Sequence, residues 1–163
     1  MSTTFAEKTS KPSSDSPDGT SQFLTFAVNN QDFGIEILRV QEIKNFTRVT
    51  PIPNMPACVK GVMNLRGTVV PIVDLRSKFN MPSAEYDQFT VIIVVNVCGR
   101  VMGLVVDAVS DVLDISPDSI EGPPNLGDAD TSFIMGLAKA DDQIVTLLNI
   151  EQLLADQRVN LAI

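Results

Sequence analysis

The sequence repeats itself. Setting Gly61 against Gly136 brings Val62/Leu137, Val69/Ile144, Val70/Val145, Ile72/Leu147, Val73/Leu148, Asp74/Asn149 and Leu75/Ile150 into register without a gap. Setting Gly34 against Gly103 likewise aligns Ile35/Leu104, Ile37/Val106, Val40/Val109, Glu42/Asp111 and Ile43/Val112. The two offsets are 75 and 69 residues, and the difference of six fits a longer loop in the second copy, around residues 121–132. Chance similarity among valine-rich strands could mimic part of this pattern. It would not place the same strand-to-helix step, at Asp74 and at Asn149, in both copies. Several short strands per copy, closed by turns, predict two small barrels and not one open sheet. Two barrels leave a groove between them and two outer faces, a geometry suited to an adaptor with several partners.

The strand pattern begins abruptly at Gln22. Residues 1–21 are rich in Ser, Thr, Pro, Asp and Lys and poor in large apolar groups, so they read as a disordered tail. Residues 23–28 form a β-rich run, and Asn29-Asn30-Gln31-Asp32 a turn before the next strand. Residues 35–43 fit helix or strand; the favoured reading is a helical turn followed by a strand. Pro51, Pro53 and Pro56 mark an extended loop without a regular ladder. Hairpins are expected at residues 62–73 around Arg66-Gly67, at 90–106 around Cys98-Gly99, and at 133–148 around Ala140-Asp141-Asp142. Residues 109–115 read as a further strand, and Ser116-Pro117-Asp118 as a helix start. Asp74 is a candidate N-cap for a short helix ending near Phe79. Asn149, with Gln152 three residues on, has the capping-box pattern for a terminal helix over residues 149–157. The expected organisation is a tail, barrel subdomains at about residues 22–85 and 86–149, and that helix.

Composition excludes much of the available chemistry. The 163-residue chain holds no histidine, which removes the commonest general base and the commonest metal ligand. Ser–His and Cys–His catalysis and the usual zinc sites cannot be built. A net charge of −8 argues against nucleic acid and against a polybasic membrane anchor. Cys58 and Cys98 sit in apolar sequence and read as two small buried thiols. Few cysteines, no apolar leader and no run near the roughly 18 residues of a membrane span point to a cytosolic protein. The acidic residues between Asp107 and Asp130 match no calcium loop and read as a solvated face. No phosphate-cradling glycine motif occurs. The expectation is therefore a binding protein and not an enzyme, without cofactor or metal. Two charges stand out in apolar surroundings, Glu42 and Arg66; their second-copy counterparts are Asp111 and Asp141, so this pairing is open only to the first half. Such a pair is either a weak surface bridge or a charge-assisted contact that shapes a docking face.

The same segments carry a family pattern. Phe33-Gly34-Ile35-Glu36-Ile37-Leu38-Arg39-Val40-Gln41-Glu42-Ile43, the block 59–76 centred on Asn64-Leu65-Arg66-Gly67, the block 103–113 and the block 144–154 together resemble the CheW-like coupling proteins of bacterial chemotaxis. The likeness runs from about Gln22 to Leu154. It implies two SH3-like five-stranded barrels in a mostly β domain, and a scaffold without enzymatic activity. It implies the histidine kinase CheA, through its regulatory domain, and chemoreceptor cytoplasmic tips as partners, with recruitment to membrane-bound arrays and weak self-association within them. By matching position, Glu42 and Arg66 look like the charged pair of the first barrel, and Val40, Lys60, Gly61 and Gly67 like its kinase-docking neighbours. Gly103 and Val109 look like the receptor-groove side of the second barrel. Gly61 and Gly67 could alternatively serve backbone shape alone. The chain departs from CheV-like hybrids in lacking a fused receiver domain. A regulatory domain excised from a CheA-like kinase is disfavoured by the initial Met, the polar tail and an end just after the last helix. Two other functions compete: a small enzyme or ligand-binding barrel with a pocket between subdomains, and a coupling module serving a pathway other than motility, such as surface sensing.

Overall fold

The computed structural model describes residues 20–82, 85–122, 133–140 and 142–155. The tail up to residue 19, most of the 121–132 loop, Asp141 and the last two residues of the expected terminal helix lie outside the described residues. Apolar β-branched residues alternating with polar ones make most of the chain strand. The strands are β1 (Ser21–Val28), β2 (Gln31–Glu36), β3 (Val40–Asn45), β4 (Val59–Leu65), β5 (Thr68–Asp74), β6 (Val91–Val97), β7 (Arg100–Val106), β8 (Ala108–Ile115), β9 (Ile120–Glu121), β10 (Ile134–Ala140) and β11 (Gln143–Leu148). Helices α1 (Leu75–Lys78) and α2 (Ile150–Ala155) follow β5 and β11. The ambiguous segment resolves as favoured, a 3-10 turn over Ile37–Arg39 and then β3.

Three of the hairpins turn in two residues, and the turn chemistry is local. Asn29-Asn30 has φ of 54° and 63°, Arg66-Gly67 has 50° and 87°, and Cys98-Gly99 has 52° and 83°. Two successive left-handed residues follow the twist of the flanking strands, which is why Asn and Gly recur there. The amide of Gly67 donates to Asn64 Oδ1 at 2.7 Å, and that of Gly99 to Asn96 Oδ1 at 3.1 Å. Asp74 caps α1 by accepting from the Arg76 amide at 2.9 Å. Asn149 Oδ1 accepts from the Gln152 amide at 3.2 Å, but its own N–H donates to the Phe133 carbonyl at 2.7 Å. A tertiary bond thus stands where a capping box would place the Gln152 side chain.

The strands form two sheets, in the orders β3-β6-β7-β5-β4 and β8-β1-β2-β11-β10-β9. The contiguous division at residues 85/86 does not describe them. The β1–β2 hairpin of the first copy lies in the sheet of the second, and the β6–β7 hairpin of the second lies in the sheet of the first. The chain crosses between sheets at Ile37–Arg39 and again at Asp107. The exchange follows the repeat. Parallel pairing sets Ile72 opposite Gly103 and Leu147 opposite Gly34, so the two glycines meet equivalent partners. A Cβ on Gly103 would stand 2.7 Å from Ile72 Cδ1, and one on Gly34 would stand 3.1 Å from Leu147 Cδ2. Register shifts recur at Val40/Glu42 and Asp111/Val109, and at Val59/Gly61 and Ile134/Gly136.

Three apolar clusters hold the fold. Met63, Val70, Ile72, Ile92 and Val94 fill the five-stranded sheet, and Phe23, Ile115, Val145 and Leu147 the six-stranded one. The largest cluster lies between the sheets and joins Phe26, Phe33, Ile35, Leu75, Leu104 and Leu153. Cys58 is buried at its margin, but Cys98 is exposed, because its turn projects it outward. That corrects the expectation of two buried thiols.

Candidate docking surface

The five-stranded sheet does not close. β3 and β4 are its two end strands, joined in sequence by the proline loop and not paired with each other. Glu42 on β3 and Arg66 in the β4–β5 turn reach across this seam. Arg66 donates through Nη1 to Glu42 Oε1 at 3.5 Å and through Nη2 to Oε2 at close contact. The Arg66 side chain is 66% exposed and that of Glu42 25%. The hydrogen bond from Arg66 holds the Glu42 carboxyl below its ordinary range, outweighing its partial burial. At this exposure the pair is a geometric strut more than a source of stability. Val40 begins β3 two residues from Glu42 and packs half-buried on the core between the sheets.

The other first-half residues sit on β4 and its turn. Lys60 Nζ lies 3.9 Å from Asp74 Oδ2. That carboxylate is buried and also accepts from Tyr86 Oη at 2.7 Å. Burial, then the bond to Asp74, pushes the Tyr86 hydroxyl well above its ordinary value. Gly61 is buried with φ of 147°, and a Cβ there would stand 2.0 Å from the Thr50 carbonyl oxygen. The close approach lets Thr50 and Val62 exchange two backbone bonds of 2.9 Å. Gly67 is exposed, with nothing within 4 Å of its missing Cβ. Gly61 therefore has a packing reason to be glycine, and Gly67 a turn reason only.

Gly103 and Val109 do not share a barrel as expected. Gly103 is buried mid-sheet on β7 of the five-stranded sheet, beside Ile72. Val109 is on β8, the end strand of the other sheet, opposite Phe26 and half-buried against the central core. The exchange of hairpins causes the separation. Of the eight positions, the fold brings Glu42 and Arg66 into contact, sets Val40 beside them in sequence, and leaves Val109 apart.

Sequence reasoning missed a second charged group. Arg76 donates to Asp107 through Nε at 2.9 Å and Nη2 at 2.6 Å, and through Nη1 to the Pro82 carbonyl at 2.8 Å. Asp107 also accepts from the Asn29 amide at 2.8 Å. Burial acts to raise the Asp107 pKa, but the Arg76 and Asn29 hydrogen bonds and the guanidinium charge hold it below the ordinary value. These bonds clamp α1, the crossing between the sheets at Asp107 and the β1–β2 turn together. The one available signal was charge within two apolar blocks, Asp74 and Arg76 in Val73-Asp74-Leu75-Arg76 and Asp107 in Val105-Val106-Asp107-Ala108. The acidic stretch from Asp107 thus begins with an Arg-bound carboxylate, and Asp128 and Asp130 lie outside the described residues.

A CheW-like domain model matches residues 22–158. The chain is 43% identical over 141 residues to a chemotaxis protein CheW of Klebsiella aerogenes, covering 86% of this chain and 85% of that one. It is 40% identical over 135 residues to a CheW of Rhizobium meliloti, covering 82% and 87%. Its fold is similar to the crystal structure of the scaffolding protein TtCheW from Thermoanaerobacter tengcongensis, with a TM-score of 0.75, 33% identity and coverage of 79% and 88%.

Proposed function

We propose, from the premise that this chain belongs to the CheW-like family, that it couples chemoreceptor cytoplasmic tips to the histidine kinase CheA. It acts as a non-catalytic scaffold on the cytoplasmic side, recruited to receptor arrays at the membrane without inserting into it. Among the described residues no helix is long and apolar enough to cross a membrane. The kinase's regulatory domain docks on the five-stranded unit around Val40, Glu42, Lys60 and Arg66. Gly61 and Gly67 shape the backbone beneath that face. The receptor hairpin lies on the Val109 side, and Gly103 supports the sheet next to it from within. Weak contacts of both kinds, and of copies with one another, add through effective concentration in the array.

The observation that carries this reading is the Glu42–Arg66 strut across an open seam. It fixes the relative position of two chain segments at a surface, as a docking face requires. The expected result is that Arg66→Glu lowers kinase capture by about tenfold, or about 1.4 kcal/mol, and weakens receptor-coupled kinase activity. Unchanged capture and unchanged coupling would remove Arg66 from the docking face. Exchanging the charges, Glu42→Arg with Arg66→Glu, rebuilds the strut reversed. Recovery of binding in the double variant assigns the pair a shaping role; persistent loss assigns Arg66 to the partner contact.

A further inference from the structure

A cleft of about 500 Å³ opens where the two sheets meet, on the side of the central core away from Val109. Its place follows from the register. Val109, Phe26, Phe33 and Thr146 are neighbours in one row across β8, β1, β2 and β11. Phe33 and Thr146 line the cleft, so two to three strand spacings, about 10–14 Å, separate it from the proposed receptor side.

The floor is aromatic. The rings of Phe33, Phe79 and Phe133 stack in sequence, with centroids 5.1 and 5.6 Å apart. Leu153 and Ile134 extend the apolar wall. Lys78 and the side-chain amides of Gln31 and Gln152 also line it, and among the described residues no carboxylate does. Lys78 makes no ion pair among the described residues. In a chain of net charge −8, a described lining with one cation and no acid is a local exception.

The repeat supplies a second, independent comparison. The counterparts of Phe33, Phe79 and Phe133 in the other copy are Met102, Leu154 and Cys58, and all three are buried in the central core. The aromatic stack is thus particular to one half of the repeat, because none of the three counterparts is aromatic.

We propose that this cleft is a binding site for a small amphipathic carboxylate, with a flat apolar body against the phenylalanine stack and its carboxylate on Lys78. A volume of this size suits such a ligand, and pockets of this kind combine an apolar wall with a few placed polar groups. The cleft draws Phe33 from one sheet and Phe79 from the helix that follows the other. An occupant therefore bridges the two halves of the scaffold. The site stands independently of the kinase-docking reading, because it shares no residue with it.

The test uses the full chain and methyl-resolved NMR with 4-phenylbutyrate, and 4-phenylbutyramide as the uncharged control. The carboxylate is expected to shift the methyl signals of Met81, Ile134 and Leu153. The amide and the Lys78→Glu variant are each expected to bind at least about tenfold more weakly. Gln152→Trp, at an exposed position, is expected to fill the cleft and abolish the shifts. No shift at about 10 mM, equal binding of acid and amide, or methyl shifts centred on Val109 would overturn the site. Should the Gln152→Trp chain fail to fold, Lys78→Glu alone decides, since that side chain makes no ion pair among the described residues.

Discussion

Gly61 and Gly67 stand six residues apart on one hairpin, yet opposite physics holds them as glycine. At Gly61 the left-handed φ and the Thr50 carbonyl leave no volume for a methyl group. Gly61→Ala must break the Thr50–Val62 bridge or bend β4, and is expected to cost about 3 kcal/mol. At Gly67 only the backbone conformation is at stake, and Gly67→Ala is expected to cost about 1 kcal/mol. Urea melts of both variants check the ordering, and equal losses would contradict it. Arg76 makes a different kind of contribution. Asp107 is held below its ordinary pKa in the folded chain. Its pairing therefore stabilises the protein fully above the unfolded value of about 3.9, and fades as pH falls through the lower folded value. Arg76→Met is expected to cost about 1–2 kcal/mol at pH 7, the lower part of the range for charged hydrogen bonds because Asp107 is partly exposed. The same substitution is expected to cost far less near pH 2, and melts at the two pH values measure the difference.

At the scale of elements, what the chain settles locally could be read from it. Asn29-Asn30 and Arg66-Gly67 mark turns because few other residues accept successive positive φ, and Asp74 and Asn149 mark helix starts because a short oxygen-bearing side chain reaches an orphan amide. Glu42 and Arg66 were legible as a possible pair, since one is a charge within an apolar strand and the other a charge at the tip of an apolar hairpin, but their contact across a seam is set by strand order. Cys98 shows where such reading fails. Its apolar neighbours imply burial, yet Val97 and Cys98-Gly99 belong to a strand end and its turn, and the turn throws the thiol into solvent beside Glu151. Cys98 Sγ donates to Glu151 Oε2 at 2.9 Å, and this bond, then the carboxylate charge, raises the thiol pKa. Native protein is expected to alkylate at Cys98 and not at buried Cys58. Glu151→Gln is expected to speed that reaction several-fold by releasing the thiolate. Peptide mapping after timed iodoacetamide treatment reads both outcomes, and an unchanged rate would dissociate Glu151 from the thiol.

At the scale of the whole molecule, the two copies are legible and their exchange is not. The β1–β2 and β6–β7 hairpins present the same glycine-centred pattern, so either hairpin satisfies either sheet by register alone. What decides is the path of the chain at Ile37–Arg39 and at Asp107, two equivalent crossings of three residues and one. Neither carries a local signal that the next strand will join the opposite sheet. The exchange has a consequence for folding. Residues 22–85 contain β3, β4 and β5 but lack β6 and β7, the strands between β3 and β5 in their own sheet. Residues 86–157 lack β1 and β2 in the same way. Each fragment would expose an unpaired sheet interior and lose its share of the core between the sheets, so neither is expected to fold alone. Mixing the two is expected to restore the native sheets by complementation, because every missing strand pair is supplied by the other fragment. Amide NMR spectra of the separate and mixed fragments give the answer. Dispersed native-like peaks from 22–85 alone would show a self-sufficient barrel. A dispersed spectrum appearing only on mixing would show that the exchanged hairpins hold the molecule together as one cooperative unit.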